Sequence, residues 1–204
     1  MTSAHHGFLL QYIEAQAFLT GRKSLMPDYA VIVYFDHVSE GKIRRIQSEV
    51  SRVTGNTYLS DNRILPHITL SLFSKESFQE ILEDLASFAP ELRDISVSLS
   101  SIGVFNSTPA VVNLLPVVSD ELIYIHENLA EKLSRHISDF NPYYERANWV
   151  PHCAVAVNIA PDELTGAIET TCRLFTPMAC KFSTLSLVEC NPYSKVADWK
   201  ISTT

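Results

Sequence analysis

Two similar segments constrain this chain more than any other feature: Ile64-Leu65-Pro66-His67-Ile68-Thr69-Leu70-Ser71-Leu72 and Trp149-Val150-Pro151-His152-Cys153-Ala154-Val155-Ala156-Val157. Each is a prolyl-histidine that feeds a short run of strand-forming or small residues. A strand sends alternate side chains to opposite faces. His67, Thr69 and Ser71 are therefore expected on one face, and Ile68, Leu70 and Leu72 on the core side. By the same rule His152, Ala154 and Ala156 share a face opposite Cys153, Val155 and Val157. Both histidines thus fall on the less apolar face of an otherwise buried strand.

The rest of the chain repeats around these segments in the same order. Ala30–Asp36 and Ala110–Leu115 read as buried strands, 80 positions apart. Ser39 and Ser119 follow as candidate N-caps, each with an acidic residue in the first turn. Helical spacing then marks Ile43, Ile46, Val50 and Val53, and again Leu122, Ile125, Leu129 and Leu133. The histidines come next, 85 positions apart, and further helices are predicted over about 75–88 and 161–175. Those helices end at Phe88-Ala-Pro90 and Phe175-Thr-Pro177, with strands expected at about 93–102 and 180–190 and a last one at 196–201.

The pattern predicts an α+β fold made by duplication, strand-helix-strand-helix-strand twice over. The repeats cover about 28–105 and 106–204. Antiparallel-rich sheets related by a pseudo-two-fold axis would carry helices on their outer faces and leave a central cleft, into which both histidines point. Residues 1–27 read as an N-terminal extension, helical over 8–20. That stretch lacks a basic leader and contains Glu14, so it does not read as a secretory signal. No run reaches the length needed to span a membrane.

Only two of the seven histidines occupy equivalent places in the repeat. His5, His6, His37, His126 and His136 are scattered and read as surface or structural residues. The 16 Lys+Arg against 23 Asp+Glu give a net charge of −7, which argues against a protein that coats nucleic acid and leaves room for a single-phosphate pocket. Cys153, Cys172, Cys180 and Cys190 form no C-x-x-C pair and read as free thiols of a cytoplasmic protein. Neither motif holds a further carboxylate or histidine at ligand spacing, so a metal hydrolase built on His67 and His152 is the weakest reading.

Pro66-His67-Ile68-Thr69-Leu70 and Pro151-His152-Cys153-Ala154-Val155 resemble the paired motifs of the two-histidine (2H) phosphoesterases, which include 2′-5′ RNA ligases and RNA 2′,3′-cyclic phosphodiesterases. The resemblance covers about residues 28–202. It implies that His67 and His152 are the general acid and base, that Thr69 donates to a phosphate oxygen, and that no metal or other cofactor is required. It also implies hydrolysis of cyclic or 2′-5′ phosphodiesters, with 2′-5′ ligation as the reverse reaction. The partners would be RNA ends or small nucleotide phosphoesters, met by a monomer away from any membrane.

One position departs from the family pattern. Ala154 stands where a Thr or Ser is expected as second phosphate ligand. Asn113, Asn158 and Tyr193 are replacements by residue type alone, or a water could serve. Among aromatics and cations, Tyr34 and Tyr193 are the leading candidates for gripping a nucleotide, with Phe35, Tyr143, Tyr144, Arg146 and Lys195 behind them. The alternative is a catalytically degenerate module of the same fold that binds nucleotides or RNA ends without turnover.

Overall fold

The computed structural model describes residues 29–74, 78–93, 95–190 and 192–201. The expected helix over 8–20 lies outside them. Seven strands form the sheet structure: β1 (Tyr29–Phe35), β2 (His67–Phe73), β3 (Ser96–Phe105), β4 (Ala110–Pro116), β5 (Cys153–Ile159), β6 (Met178–Cys190) and β7 (Tyr193–Lys200). The helices are α1 (His37–Thr54), α2 (Tyr58–Asp61), α3 (Phe78–Phe88), α4 (Asp120–Leu133) and α5 (Leu164–Leu174). Short 3₁₀ turns lie at Ala89–Leu92 and Pro142–Tyr144.

The strand order is β2-β1-β6-β3-β4-β5, with β7 added beside β6, and every pairing is antiparallel. The third strand of each half has crossed over. β3 follows the first half in sequence but pairs with β4, while β6 follows the second half but pairs with β1. β6 is long enough to do both jobs: Met178–Lys181 pair with β3, and Phe182–Glu189 pair with β1.

Burial explains the strands. All seven residues of β1 are buried. Tyr29, Val31, Val33 and Phe35 enter the main core, while Ala30, Ile32 and Tyr34 join a smaller apolar cluster on the other face. The helices cover the main-core side with their apolar stripes: Ile43, Ile46 and Val50 of α1, and Leu122, Ile125, Leu129 and Leu133 of α4, are all buried. Val53, assigned by spacing to the stripe of α1, is 45% exposed.

The cap of α1 differs from expectation. Ser39 lies inside the helix, and Asp36 is the N-cap: its carboxylate accepts from the backbone N–H groups of Val38 and Ser39 and from the Ser39 hydroxyl. A carboxylate accepts two bonds at a helix start and meets the positive end of the dipole, which a serine does less well. Ser119 caps α4 as expected, accepting from Leu122 N. Gly55 closes α1 in the left-handed region, at φ 76°, where a side chain would be strained.

The alternation predicted for the two motif strands holds for three residues and then breaks in both. Ile32 faces Thr69 and Val31 faces Ser71, so Leu70 is an extra residue. Asn113 faces Ala154 and Val112 faces Ala156, so Val155 is an extra residue. A bulge reverses the pleat beyond it. Ser71 and Ala156 consequently turn away from the cleft, and Leu72 and Val157 turn into it. Both bulges fall three residues after the histidine.

Candidate active site

His67 opens β2, and His152 immediately precedes β5. The proline before each histidine has a local purpose. A residue preceding proline is held extended, which turns the carbonyl of Leu65, or of Val150, toward the imidazole two positions on. His67 Nδ1 donates to Leu65 O at 2.7 Å, and His152 Nδ1 donates to Val150 O at 2.7 Å. A donating Nδ1 fixes the tautomer and leaves each Nε2 with its lone pair free. Both rings line one cavity of about 310 Å³.

Burial is the main influence on both imidazoles and lowers both pKa values, against the opposing pull of the carbonyl bonds. His152 is pushed down to about 4, with the neighbouring His67 as a further cause. Without a ligand both rings are therefore neutral at pH 7. An anion placed between them would reverse the effect and draw a proton onto one Nε2.

The cross-lobe contacts are matched in the two halves. Trp149 Nε1 donates to the Thr69 carbonyl at 3.1 Å, and Gln47 Nε2 donates to the Ala154 carbonyl at 3.0 Å. Each carbonyl lies two residues past a histidine, next to the bulge, and each donor comes from the opposite half. The Thr69 hydroxyl meets the phenol of the half-buried Tyr144. His126 is buried and stacks flat on Trp149 at 4.0 Å, with its Nε2 on Tyr144 O at 3.0 Å. This histidine, which has no counterpart in the first repeat, backs the cavity wall through Trp149.

Aromatic rings flank each imidazole. Phe105 meets His152 edge-on with centroids 4.7 Å apart, and Tyr34 meets His67 edge-on at 6.3 Å. Tyr34 is buried, and its hydroxyl shares a 2.7 Å hydrogen bond with that of Tyr193. Tyr193 lines the cavity, as do Tyr143 and Tyr144, whereas Phe35 packs into the main core. Both cations already have partners. Lys195 lies 4.8 Å over the Tyr34 ring and pairs with Asp198, and Arg146 pairs with Glu127. Phe105 and Gln47 carry no sequence signal, because each belongs to the half opposite the motif it touches.

A family model described as the 2′-5′ RNA ligase superfamily matches residues 31–191. The chain belongs to this superfamily. Its fold agrees with solved structures of low sequence identity. LigT of E. coli in its apo form is 14% identical over 86% of this chain and 98% of that one, with a TM-score of 0.55. TT0787 of Thermus thermophilus is 15% identical over 85% and 97%, also at 0.55. LigT of E. coli complexed with ATP is 13% identical over 86% and 98%, at 0.52. No curated protein compared with the chain matches it.

For a 2′-5′ RNA ligase superfamily member, the surroundings of Ala154 are the main point of interest. Thr69 and Ala154 line the cavity at corresponding places after the two histidines. Asn113 is the cross-strand neighbour of Ala154. Asn158 lies farther along the cavity in the left-handed region at φ 59°, with its carbonyl held by Asn56 Nδ2 at 3.1 Å. Among the described residues, no three His, Cys, Asp or Glu side chains group to hold a metal ion. All four cysteines are free thiols. No described helix is long and apolar enough to cross a membrane.

Proposed function

We propose that this superfamily member is a metal-independent phosphodiesterase acting on 2′,3′-cyclic phosphate or 2′-5′ phosphodiester groups of RNA ends or nucleotides, with His67 and His152 as acid and base. One observation carries the reading: two imidazoles, each locked by its Nδ1 to a carbonyl two residues back, share one cavity. The phosphate sits between them, with Thr69 donating to one oxygen and Tyr193 and Tyr34 forming the wall beside the sugar or base. The neutral imidazole takes a proton at Nε2 from water as the water oxygen attacks phosphorus. The other imidazole, protonated under the influence of the bound anion, gives its Nε2 proton to the departing sugar oxygen. With a sugar 5′-hydroxyl in place of water, the same exchange on a 2′,3′-cyclic phosphate forms the P–O5′ bond, breaks the P–O3′ bond with the proton passing to O3′, and leaves a 2′-5′ linkage.

The charge balance suits this role. A phosphodiester carries one negative charge, and one histidine proton matches it inside the cavity, where a lone anion would be costly. The test is turnover of a nucleoside 2′,3′-cyclic monophosphate and of cyclic-phosphate-ended RNA, with and without EDTA. Turnover that survives EDTA and falls by about 10²-fold or more in both His67→Ala and His152→Ala is expected. Undiminished turnover in either variant would overturn the assignment, and binding without turnover would place the protein among degenerate, ligand-binding members.

A further inference from the structure

The cavity has two unlike ends. Toward His67 its lining carries the hydroxyls of Thr69, Tyr144 and Tyr193. Beyond His152 it is walled by Phe105, Val111 and Val157 of the sheet and by Tyr58 and Leu59 of α2. Phe105 and Val111 are partners across β3 and β4, and α2 packs against β5. These surfaces are uncharged, largely apolar and partly aromatic. Asn158, near the end of β5, lines the cavity beside them. Its φ of 59° puts a non-glycine residue in the left-handed region. Asn56 clamps this turn: its Nδ2 donates to Val157 O at 3.0 Å and to Asn158 O at 3.1 Å, while its Oδ1 accepts from Tyr58 N at 3.2 Å. One amide thus fixes Asn158 against the start of α2. The Nδ2 of Asn158, by contrast, is shut off from water with no hydrogen-bond partner among the described residues. A donor left unmade is costly, and the terminal torsion of an asparagine is soft. The amide therefore gains by turning toward an acceptor that enters the cavity.

We propose that the end of the cavity beyond His152 is the nucleobase site and that Asn158 reads the edge of the base. A base is a flat, uncharged ring with its polar atoms confined to the edge, and apolar and aromatic walls with a convergent amide match that shape. An amide presents a donor and an acceptor side by side, the arrangement that pairs with two adjacent atoms of a base edge. The phosphate lies between the histidines, which leaves Tyr193 beside the sugar. The inference rests on the phosphoester reading of the site and names which part of the substrate occupies its apolar end.

The test is steady-state kinetics on the 2′,3′-cyclic monophosphates of adenosine, guanosine, cytidine and uridine, with wild type, Asn158→Gly and Asn158→Asp. Glycine adopts positive φ without strain and aspartate tolerates it, so both variants keep the clamped turn, and an unchanged Tm verifies this. One hydrogen bond made or lost is worth about tenfold, so wild type should spread kcat/KM by about tenfold or more across the four bases. Asn158→Gly should shrink that spread to within about threefold, with the loss falling on KM. Asn158→Asp, which offers acceptors alone, should change the order of preference among the bases. Equal turnover of all four substrates by wild type, or a spread that persists in both variants, would overturn the inference while leaving the histidine chemistry intact. Wild type that neither binds nor turns over any of the four would overturn the phosphoester reading itself, and this inference with it.

Discussion

Trp149 Nε1 donates to the backbone oxygen of Thr69 at 3.1 Å, so a residue three positions before the second histidine holds the chain two positions after the first. The two motifs are mechanically joined by this bond, and the His126 ring stacked on Trp149 fixes the indole plane. Trp149→Phe keeps a ring but removes the donor. It should cost about 1–3 kcal/mol in urea denaturation, because the Thr69 carbonyl loses a buried partner. It should also lower kcat, since Thr69 and His67 share β2. Gln47→Leu, which frees the Ala154 carbonyl, should act in the same direction on the other half.

Burial lowers the pKa of His67, His126 and His152, the last to about 4. In the unfolded chain each would titrate near 6.5. Above that pH all three are neutral in both states and stability is complete. Between about 6.5 and 4 the unfolded chain binds protons that the folded protein does not, so stability falls as pH falls. The Tm should therefore drop through this window, and the drop should be shallower in a His67→Gln/His152→Gln double variant.

The same depression predicts proton uptake on binding. A phosphate monoester entering at pH 7 meets two neutral rings and must draw a proton onto one of them. Calorimetric titrations of cytidine 3′-monophosphate in buffers of differing ionisation heat should report uptake of a fraction of a proton up to about one. Zero uptake would mean that the phosphate lies away from both imidazoles.

The Tyr34–Tyr193 bond lends itself to a mutant cycle. Each hydroxyl is the other's partner at 2.7 Å, and burial raises both pKa values, so the pair remains un-ionised across the working range. Tyr34→Phe and Tyr193→Phe each break one hydrogen bond, worth about 0.5–1.5 kcal/mol. The double variant should cost less than the two together, because both remove the same interaction.

Asp36 ties the site's framework together at the start of α1. Besides capping that helix, its carboxylate accepts from Lys181 N at 3.1 Å, where β6 passes from one sheet to the next. Burial opposes its ionisation, but the bonds from Ser39, Lys181 and Val38 outweigh that and lower its pKa. Asp36→Ala should cost about 1–2 kcal/mol, measurable as a shift in the urea midpoint at constant slope.

Much of this is legible in the residues. Apolar periodicity locates the helices and strands, and the pairing of Pro66-His67 with Pro151-His152 picks out the two rings that share a cavity. Backbone irregularity cannot be read in the same way. Leu70 and Val155 are ordinary strand residues, and nothing in their chemistry announces that each is an extra residue in its ladder. Strict alternation therefore inverts the faces of Ser71, Leu72, Ala156 and Val157. Phe105 escapes a sequence reading for a topological reason: adjacency assigns β3 to the first half, whereas hydrogen bonding places it beside β4 and against His152. Asp36 and Ser39 are both good caps by residue type, and only the backbone decides between them.

β6 is bonded to β3 through Met178–Lys181 and to β1 through Phe182–Glu189. One unbroken strand therefore joins the part of the molecule bearing His67 to the part bearing His152, so the two rings are referenced to a shared backbone and not to separate sheets.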